Sequence, residues 1–577
     1  MKKITLLFLL ISNSIFATTY FVDQDAAGTG SGTSWANAFT NLQTAINTVI
    51  EGDLLFVKAG NYYPSQQMIS GDNRSRAFLL NKNIKIYGGF NGTETTLAQR
   101  NFTTNITLLS GDFNDNDTDT NGNGINDFGQ GENAYTVLVA YGLSNTALID
   151  GVKFFGGNAD GTATYTYNTY SLTTSNAGGI YNVASNLVVK NTVFNNNSGS
   201  FGGGFCNKGA CFPKIENCNF IYNFASYGNS IHANDGTLVT ILNSTFTSNR
   251  GSGVLSSLNS SVMKVTGCTF SNNQGSNGGV SYTNNNCNSV FLNCKMYNNT
   301  ATNSGGAFYM TDYCIVTMYN TLVYKNFAVY GGAIYSVSNS YFNCINSTFY
   351  GNNASTKGGA FYCSVSPDAM YMKLYNTIIY GNTSPTNPNW FREYFTVSNI
   401  HVRNSIIQGS GGSAAWSTNF GTNDGNNLDV NPLFTNTTQD LEDFRLQATS
   451  PGIDTSYNLL LNLPNSNNSW TSSDTDVYGN SRLVGNGVDI GAAENQSILS
   501  IFEYDNSNIK LFCSNSKLLF EDADSILNKA YTIFDLNGKK VIEGKINSTE
   551  ILLPTLVSGL YVIKIENEKG IKFLIKN

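Results

Sequence analysis

The sequence predicts an all-β protein: a parallel β-helix with a helical cap before it and a small antiparallel β-sandwich after it. Two observations predict the β-helix. A phrase of two glycines, a small residue, an apolar residue and Tyr recurs about every 23 to 27 residues, a period typical of stacked-coil solenoids. A second phrase, which begins and ends with Asn, keeps the same period. Copies of the first phrase start at Gly178, Gly278, Gly305, Gly331 and Gly358, with degenerate copies at Gly203, Gly228 and Gly251. Copies of the second start at Asn191, Asn217, Asn243, Asn293, Asn320, Asn346, Asn376 and Asn404, and Gly267 replaces one Asn.

The segments between these phrases are typical of β-strands. Leu238–Leu242 and Ile315–Met318, for example, alternate in polarity and are rich in β-branched residues. No repeat holds the run of 3.6-residue periodicity that a crossover helix would need. Each coil is therefore expected to contain strands and turns alone, with strands of successive coils paired in parallel about 4.8 Å apart.

The repeated positions have structural explanations. Paired glycines allow tight turns, and stacked Asn side chains can bond to one another along the axis. The position after the first Asn takes only small side chains, which predicts an inward, tightly packed turn. Its occupants are Thr192, Cys218, Ser244, Cys268, Cys294, Thr321, Ser347, Thr377 and Ser405. We therefore discount the repeated Asn, Gly and aromatic residues as catalytic candidates.

Residues 18–60 are predicted to form an N-terminal cap and the first strand. After a short strand at Tyr20–Asp23, an amphipathic helix is expected to end at Gly52. Its apolar face comprises Phe39, Leu42, Ala45, Ile46 and Val49. A helix at this place covers the end of the core and the unpaired strand edge.

Residues 1–17 have the pattern of a signal peptide, with Lys2 and Lys3 before a short apolar run and a cleavage point after Ala17. A transmembrane anchor is the alternative, but the run is too short to span a bilayer, and no other segment approaches that length. We therefore expect export, with an extracellular or outer-membrane surface location and no transmembrane span.

The composition argues against a nucleic-acid partner. Only 12% of the residues are charged, the net charge is −7 and the isoelectric point is near 5.0. No basic stripe is present that could offset phosphates. Low charge with abundant Asn, Ser, Thr and Gly is typical of an exported β-rich protein.

Two interpretations of the ten cysteines stay open. Cys268 and Cys294 lie in one repeat column, and Cys287 and Cys314 lie in another. In an exported chain such neighbours are close enough to form disulfides, but a buried thiol is also simply a small side chain. The connectivity cannot be read from the sequence, and no Cys/His pattern has zinc spacing.

Residues 32–64 resemble the start of bacterial secreted right-handed β-helix proteins of the pectate-lyase-like superfamily, and the resemblance continues through the repeats. It implies that residues 61–427 form a right-handed parallel β-helix. That superfamily includes lyases, hydrolases and adhesins, so the resemblance does not identify an activity.

An insertion at residues 111–127 resembles the calcium loops of thrombospondin type 3 repeats. Asp119, Asn121, Asn123 and Asp127 would supply oxygen ligands, and Gly124 would allow the sharp turn. The alternative is a solvated loop rich in Asp and Asn turns. Calcium is the one cofactor that the sequence suggests.

Residues 428–497 break the repeat and resemble a choice-of-anchor Q segment, through the motifs NPLF (431–434), DFRLQATSPGID (443–454), DVYGNSR (476–482) and VDIGAAE (488–494). We expect this segment to finish the last coils and to cover the C-terminal end of the solenoid.

Residues 498–577 alternate as strands of a small antiparallel sandwich. They resemble the C-terminal sorting domain of the type IX secretion system of Bacteroidetes. The matching residues are Asp535, Gly538, Leu556, Gly559, Tyr561, Lys572 and Lys576. The resemblance implies the type IX machinery as a partner. A carbohydrate-binding or immunoglobulin-like module is the alternative, but the terminal position and the basic last strand favour sorting.

The repeats are poor in catalytic residue types. Asp235 and Asp312 lie three coils apart, too far for a carboxylate pair. His232 and His401 are the only histidines, and His232 occupies the Tyr column, where a packed side chain is expected. A Ser/His/Asp arrangement therefore has little support.

Two functions remain. The sequence favours a non-enzymatic surface protein for adhesion or glycan binding, because Tyr and Asn stack on and hydrogen-bond sugars. A polysaccharide lyase or hydrolase acting on an acidic polysaccharide is the alternative, supported by fold analogy. A groove with three or more exposed acidic and basic side chains would favour the enzyme. The sequence identifies neither the ligand nor the oligomeric state.

Overall fold

The computed structural model describes residues 17–124, 126–127, 129–364, 371–392, 399–456, 474–485, 487–496, 510–514, 517–521, 526–535, 538–553, 556, 559–566 and 571–575. The predicted signal peptide lies almost wholly outside these residues. The chain divides into two compact units, residues 1–496 and 497–577. In the described part of the chain, no helix is both long and apolar enough to cross a membrane.

The first unit is a parallel β-helix, as predicted. Each full coil visits four sheets in the order A, B, D, C, and equivalent strands of successive coils pair in parallel. Sheet A contains Thr19–Val22, Leu54–Lys58, Lys85–Phe90, Leu148–Asp150, Val188–Lys190, Lys214–Glu216, Leu238–Leu242, Val262–Thr266, Asn288–Leu292, Ile315–Tyr319, Tyr341–Ile345, Tyr371–Tyr375, Ile400–Arg403 and Thr422–Asn423. Sheet B contains Gly60–Tyr62, Thr107–Ser110, Lys153–Phe155, Val193–Asn195, Asn219–Ile221, Thr245–Thr247, Thr269–Ser271, Lys295–Tyr297, Leu322–Tyr324, Thr348–Tyr350, Ile378–Tyr380 and Ile406–Ile407.

The other two sheets complete the wall. Sheet C contains Gln66–Gln67, Arg76–Leu80, Leu138–Tyr141, Ile180–Val183, Phe205–Lys208, Ile231–Ala233, Leu255–Leu258, Ser281–Asn284, Phe308–Met310, Ile334–Val337, Phe361–Ser364 and Trp390–Arg392. Sheet D contains Ser198–Phe201, Phe224–Tyr227, Arg250–Gly251, Gln274–Asn277, Thr300–Ser304, Phe327–Tyr330 and Asn353–Lys357. Two antiparallel hairpins, Thr164–Tyr167 with Tyr170–Thr173 and Phe434–Asn436 with Asp443–Leu446, are added to this framework.

The core consists of like side chains stacked from coil to coil. Phe154, Phe194, Phe220, Phe246 and Phe270 are fully buried, and the centroids of successive rings lie 4.4–5.1 Å apart. The tyrosines of the Gly-Gly phrase stack in the same way, with 5.2 Å between Tyr282 and Tyr309 and 5.3 Å between Tyr309 and Tyr335. The predicted stacking along one axis is therefore confirmed.

The two Asn positions of the second phrase have different roles, which the sequence did not distinguish. The first Asn of each phrase adopts a left-handed turn, with φ between 46° and 54°, and Gly267 takes the same turn with φ 66°. The second Asn forms the buried ladder, in which each Nδ2 lies 2.9–3.1 Å from the Oδ1 of the next coil. Its members are Asn197, Asn223, Asn249, Asn273, Asn299, Asn326, Asn352 and Asn382.

The N-terminal cap forms as predicted, although its helix is shorter. The helix spans Leu42–Thr48, Asn41 caps it by accepting from the Thr44 N–H, and its apolar face is buried in the core. Gly52 lies in the turn after the helix, with φ 90°. Short 3-10 helices occur at Asn73–Ser75, Leu97–Gln99, Gln130–Glu132 and Thr418–Phe420.

The prediction that residues 428–497 cover the C-terminal end of the solenoid does not hold for the described residues of this segment. The described residues of this segment pack along the outside of the wall, where Phe434 and Phe444 contact Tyr350 of sheet B. The Gly491 N–H donates to the Asn376 carbonyl at 2.9 Å. At the end of the core lie instead Trp416 and Phe420, which pack against it half-buried.

The quoted motifs of this flanking segment meet in one buried ion cluster. Arg482 is fully buried, pairs with Glu494 at 3.2 Å and donates to the carbonyls of Asp489 and Gly491 at 2.8 Å. The carboxylates of Asp476, Asp489 and Glu494 each accept from backbone N–H groups. The cluster therefore holds the segment together, which explains why these motifs contain charged residues.

The second unit contains two antiparallel sheets around one core, as the predicted sandwich requires. One sheet comprises Lys510–Ser514, Lys517–Glu521 and Glu550–Leu552. The other comprises Ala530–Asp535, Lys540–Lys545, Gly559–Ile565 and Ile571–Ile575. Leu518 and Ile551 of the first sheet share the core with Ile533 and Ile563 of the second.

Candidate functional site

A groove of about 290 Å³ lies on the outer face of sheet A. Its lining is mostly neutral and hydrogen-bonding, with one cationic residue; the lining residues are Asn288, Val290, Ile315, Thr317, Tyr319, Asn343, Ile345 and Lys373. Strand register creates the groove, because Val290, Thr317, Asn343 and Lys373 stand directly one above another in successive coils. The repeat phrases do not include these positions.

Two exposed tyrosines continue one edge of this groove. Tyr341 is in register with Ile315, and Tyr371 is in register with Tyr341. Their rings lie 4.9 Å apart at an angle of 3°, and they are 36% and 43% exposed. Such a stacked pair offers a flat apolar platform beside hydrogen-bonding amides and hydroxyls.

An acid-base cluster lies at the next coil along the same column. His401 is in register with Lys373, and its Nδ1 lies 3.1 Å from Oδ2 of Asp424. The Tyr375 hydroxyl donates to the same carboxylate oxygen at 3.2 Å, and burial together with Asp424 raises the pKa of Tyr375 to about 12. Lys373, His401 and Asp424 thus form a charged cluster beside the groove, but of these only Lys373 lines it, so the condition set for an enzymatic groove is met only in part.

Elsewhere in the described repeats, charged side chains pair with one another or lie in turns. Lys190 and Lys214 both pair with Glu216, at 3.0 and 2.9 Å, and their hydrogen bonds hold the pKa of that carboxyl below its usual range. Asp235 and Asp312 occupy left-handed turns, with φ 56° and 53°.

His232 is packed, as its column predicted. Its side chain is 3% exposed, its ring centroid lies 4.9 Å from that of Phe201, and burial lowers the pKa of His232 to about 3. It therefore stays neutral near pH 7 and is a wall residue.

A second cavity, of about 540 Å³, lies near the C-terminal end of the β-helix. Trp390 and Phe420 line it together with the side-chain amides of Asn389 and Gln408. Trp390 is 6% exposed, and its indole Nε1 is buried without a hydrogen-bond partner. No sequence pattern predicts this cavity, because its lining comes from the last, irregular coils.

The predicted calcium loop forms a compact network of turns. The Asp119 carboxylate accepts from the N–H groups of Asn123 and Gly124, and Asp127 accepts from Thr120 and Asn121. These contacts bring the four predicted ligands into one loop. Calcium binding there stays a prediction.

The predicted sorting-domain residues mark a turn and a strand pair. Asp535 accepts from the N–H of Lys539 at 2.9 Å, and Gly538 turns the chain with φ 77°. Tyr561 and Phe573 stack at 5.9 Å across the strand pair that also contains Gly559 and Lys572. Lys576 lies outside the described residues.

Comparisons with known proteins agree with both units. A family described as "Right handed beta helix region" matches residues 203–383, and one described as "Secretion system C-terminal sorting domain" matches residues 513–577. The chain therefore contains a right-handed β-helix region and a secretion sorting domain. Its sorting domain implies the type IX secretion machinery as a partner.

Among solved structures, the chain is similar to the crystal structure of pectate lyase Pel9A. The likeness covers 84% of this chain and 98% of that chain, with 15% identity and a TM-score of 0.39. This similarity is too low to support an argument about activity. No match to a curated protein was found. The resemblance to a choice-of-anchor Q segment stays a prediction.

Proposed function

We propose that this secreted β-helix binds glycans at the cell surface, through the groove on sheet A, without cleaving them. The stacked pair Tyr341 and Tyr371 beside Asn288, Thr317 and Asn343 is the observation that carries the proposal. Aromatic faces pack against the apolar faces of sugar rings, and amides and hydroxyls pair with sugar hydroxyls.

Lys373 indicates that the groove would prefer an acidic glycan. Among the described residues that line the groove it is the one with a charge, and a Lys ammonium pairs with carboxylates. A polymer that contains uronic acid would therefore bind more tightly than a neutral one. Asn343 and Thr317, stacked in register below Lys373, would bind successive hydroxyls of an extended chain.

Affinity measurements with Tyr371→Ala test this proposal. Aromatic contacts contribute about 0.5–1.5 kcal/mol beyond buried area, so affinity should fall about 2- to 10-fold. Phe327→Ala, which removes an exposed aromatic ring from sheet D, is the matched control and should leave affinity unchanged. Equal affinity of both variants for every glycan on an array would contradict the proposal.

A second candidate function is β-elimination on a uronic-acid polysaccharide, and the cluster of Lys373, His401 and Asp424 favours it. Lys373 would neutralise the sugar carboxylate. His401, oriented by Asp424 through Nδ1, would take the proton from the carbon next to that carboxylate. The electron pair would form a C=C bond as the glycosidic C–O bond breaks, and the departing oxygen would take up a proton from water.

Incubation with a panel of uronic-acid polymers, with and without calcium, separates the two functions. A lyase produces an unsaturated end group that absorbs in the ultraviolet, and His401→Asn should abolish that signal while leaving binding intact. Binding with no absorbance change in the native protein would exclude the lyase reaction for those polymers.

A further inference from the structure

Residues 111–133 replace the sheet D strand of one early coil. The segment follows the sheet B strand Thr107–Ser110 and precedes the sheet C strand Leu138–Tyr141. It crosses towards later coils, because the Asn126 N–H donates to Asn196 Oδ1 at 3.2 Å and Arg250 donates to the Asn123 carbonyl at 3.3 Å. The interior of this insertion contains hydrogen-bond acceptors that lack donors.

Three oxygen atoms of this insertion are buried without a hydrogen-bond donor: Asp117 Oδ1, Glu132 Oε1 and Asn133 Oδ1. Asn133 is fully buried, and its Nδ2 donates to Asp117 Oδ2 at 2.9 Å and to the Gly156 carbonyl at 2.6 Å. Both amide protons are therefore used, and the amide oxygen is left without a donor.

Among the described residues, the neighbours of these oxygens supply no donor to them. Asp112, 2% exposed, already accepts from the N–H groups of Asn114, Asn116 and Asp117. Arg74 packs against the same segment, but it donates to the Asn133 carbonyl and pairs with Asp160. Burial, followed by the charges of Asp112 and Glu132, raises the pKa of Asp117 to about 6.

The buried carboxylates in the ion cluster around Arg482, unlike the three oxygens of the insertion, have hydrogen-bond donors. There the carboxylates of Asp489 and Glu494 are each met by backbone N–H groups and lie beside a guanidinium. In the insertion, by contrast, Asp117 Oδ1, Glu132 Oε1 and Asn133 Oδ1 have neither a backbone N–H donor nor a guanidinium donor. Buried acceptors without donors are costly, and a bound cation is one means of satisfying them.

We propose that Asp117, Glu132 and Asn133 bind a divalent cation, with calcium preferred. Calcium takes six to eight oxygen ligands in irregular geometry, so two carboxylates, one amide carbonyl and waters form a suitable set. The ion would join Asp117 at one end of the insertion to Glu132 and Asn133 at the other. It would thereby fix the insertion against the coils that contain Asn196 and Arg250.

This location differs from the loop of Asp119, Asn121, Asn123 and Asp127. In that loop the carboxylates already accept from backbone and side-chain donors. The two locations can be separated by substitution, because Asp117→Asn and Glu132→Gln keep the side-chain shape and remove one charge each. The double variant Asp119→Asn/Asp127→Asn does the same in the loop and is the matched control.

Calorimetric titration of chelator-treated protein with calcium chloride, repeated with magnesium chloride, tests the proposal. Asp117→Asn and Glu132→Gln should weaken calcium binding at least as much as the loss of an outer-sphere partner, about 10- to 100-fold. The loop double variant should keep the native affinity for this ion. Calcium should also slow proteolysis within the insertion in native protein and in the loop variant, but not in Asp117→Asn.

Two results would overturn the inference. One is no calcium binding by the native protein. The other is native affinity in both Asp117→Asn and Glu132→Gln together with lost binding in the loop variant, which would place the ion in the loop. Glu132 is half-buried, so Glu132→Gln remains informative if Asp117→Asn fails to fold.

Discussion

The Asn ladder makes a specific prediction at Asn249. Its Oδ1 accepts from the backbone N–H of Asn223 at 2.9 Å and from the Asn223 Nδ2 at 3.1 Å. Its Nδ2 donates to the Phe220 carbonyl at 2.9 Å and to Asn273 Oδ1 at 3.0 Å. The side chain is fully buried. Asn249→Ala would remove the whole set and leave its partners buried.

The expected loss of stability follows from those partners. Two donors of Asn223 and the Phe220 carbonyl lose a partner, and each buried group left unsatisfied costs about 1–3 kcal/mol. A water molecule in the vacated space would recover part of this loss. We therefore expect Asn249→Ala to lower the free energy of unfolding by about 3 kcal/mol, which is near the lower end of the sum of these three costs.

Asn243→Gly is the matched control. Asn243 begins the same phrase, is exposed and holds a left-handed turn with φ 48°, a conformation that Gly267 adopts in the next coil. Glycine should take its place with little loss. Thermal unfolding and hydrogen exchange of the peptides in neighbouring coils should show a large effect for Asn249→Ala alone. Equal melting temperatures and equal exchange for the two variants would refute the ladder's role in stability.

Two further predictions concern buried charge. Arg482→Met should destabilise the first unit by about 3–5 kcal/mol, because it leaves buried carboxylates without their cation. Arg445→Met, in the exposed pair with Asp443, should change stability by less than about 1 kcal/mol. The denaturant midpoint should therefore shift much more for Arg482→Met than for Arg445→Met, and equal shifts would contradict this prediction. His232 makes stability pH-dependent. The unfolded chain takes up a proton below the ordinary pKa of 6.5, whereas the native ring does so only near 3. Native stability should thus fall as pH decreases through this window, by at most about 1.4 kcal/mol per pH unit. His232→Phe should show a weaker acid dependence, and parallel curves for the two proteins would contradict this explanation.

The regular part of the fold could be predicted because each repeated position meets its own copy in the next coil. The small residues after the first Asn are buried, and the first glycines of four Gly-Gly phrases, Gly278, Gly305, Gly331 and Gly358, have φ of 65–69°, as their pattern indicates. The two Asn columns could not be distinguished from sequence, because Asn suits both a left-handed turn and a buried amide ladder. Only the strand register showed that Asn243 forms the left-handed turn and that Asn249 belongs to the buried ladder.

The surface on which the flanking segment, residues 428–497, packs could not be predicted for a different reason. Its motifs carry the charges of the ion cluster around Arg482, and a cluster fixes the segment's own fold without specifying the surface on which it packs. That surface consists of Tyr324, Tyr350 and other outward side chains of sheet B. Outward residues of separate coils form a continuous apolar strip only after the strands are in register, so no local pattern identifies it.

The same reasoning indicates where function lies in this solenoid. Along the outer face of sheet A one column runs Thr240, Lys264, Val290, Thr317, Asn343, Lys373 and His401, and no two neighbouring coils carry the same residue type there. The inward and turn positions must satisfy packing and backbone geometry in every coil, whereas this outward column need not. Its chemistry can therefore vary from coil to coil while the register places successive groups about 4.8 Å apart. A polymer that lies along the axis would meet a different side chain at each step, and for this reason the groove, rather than the Asn or Tyr ladders, is the surface to test first.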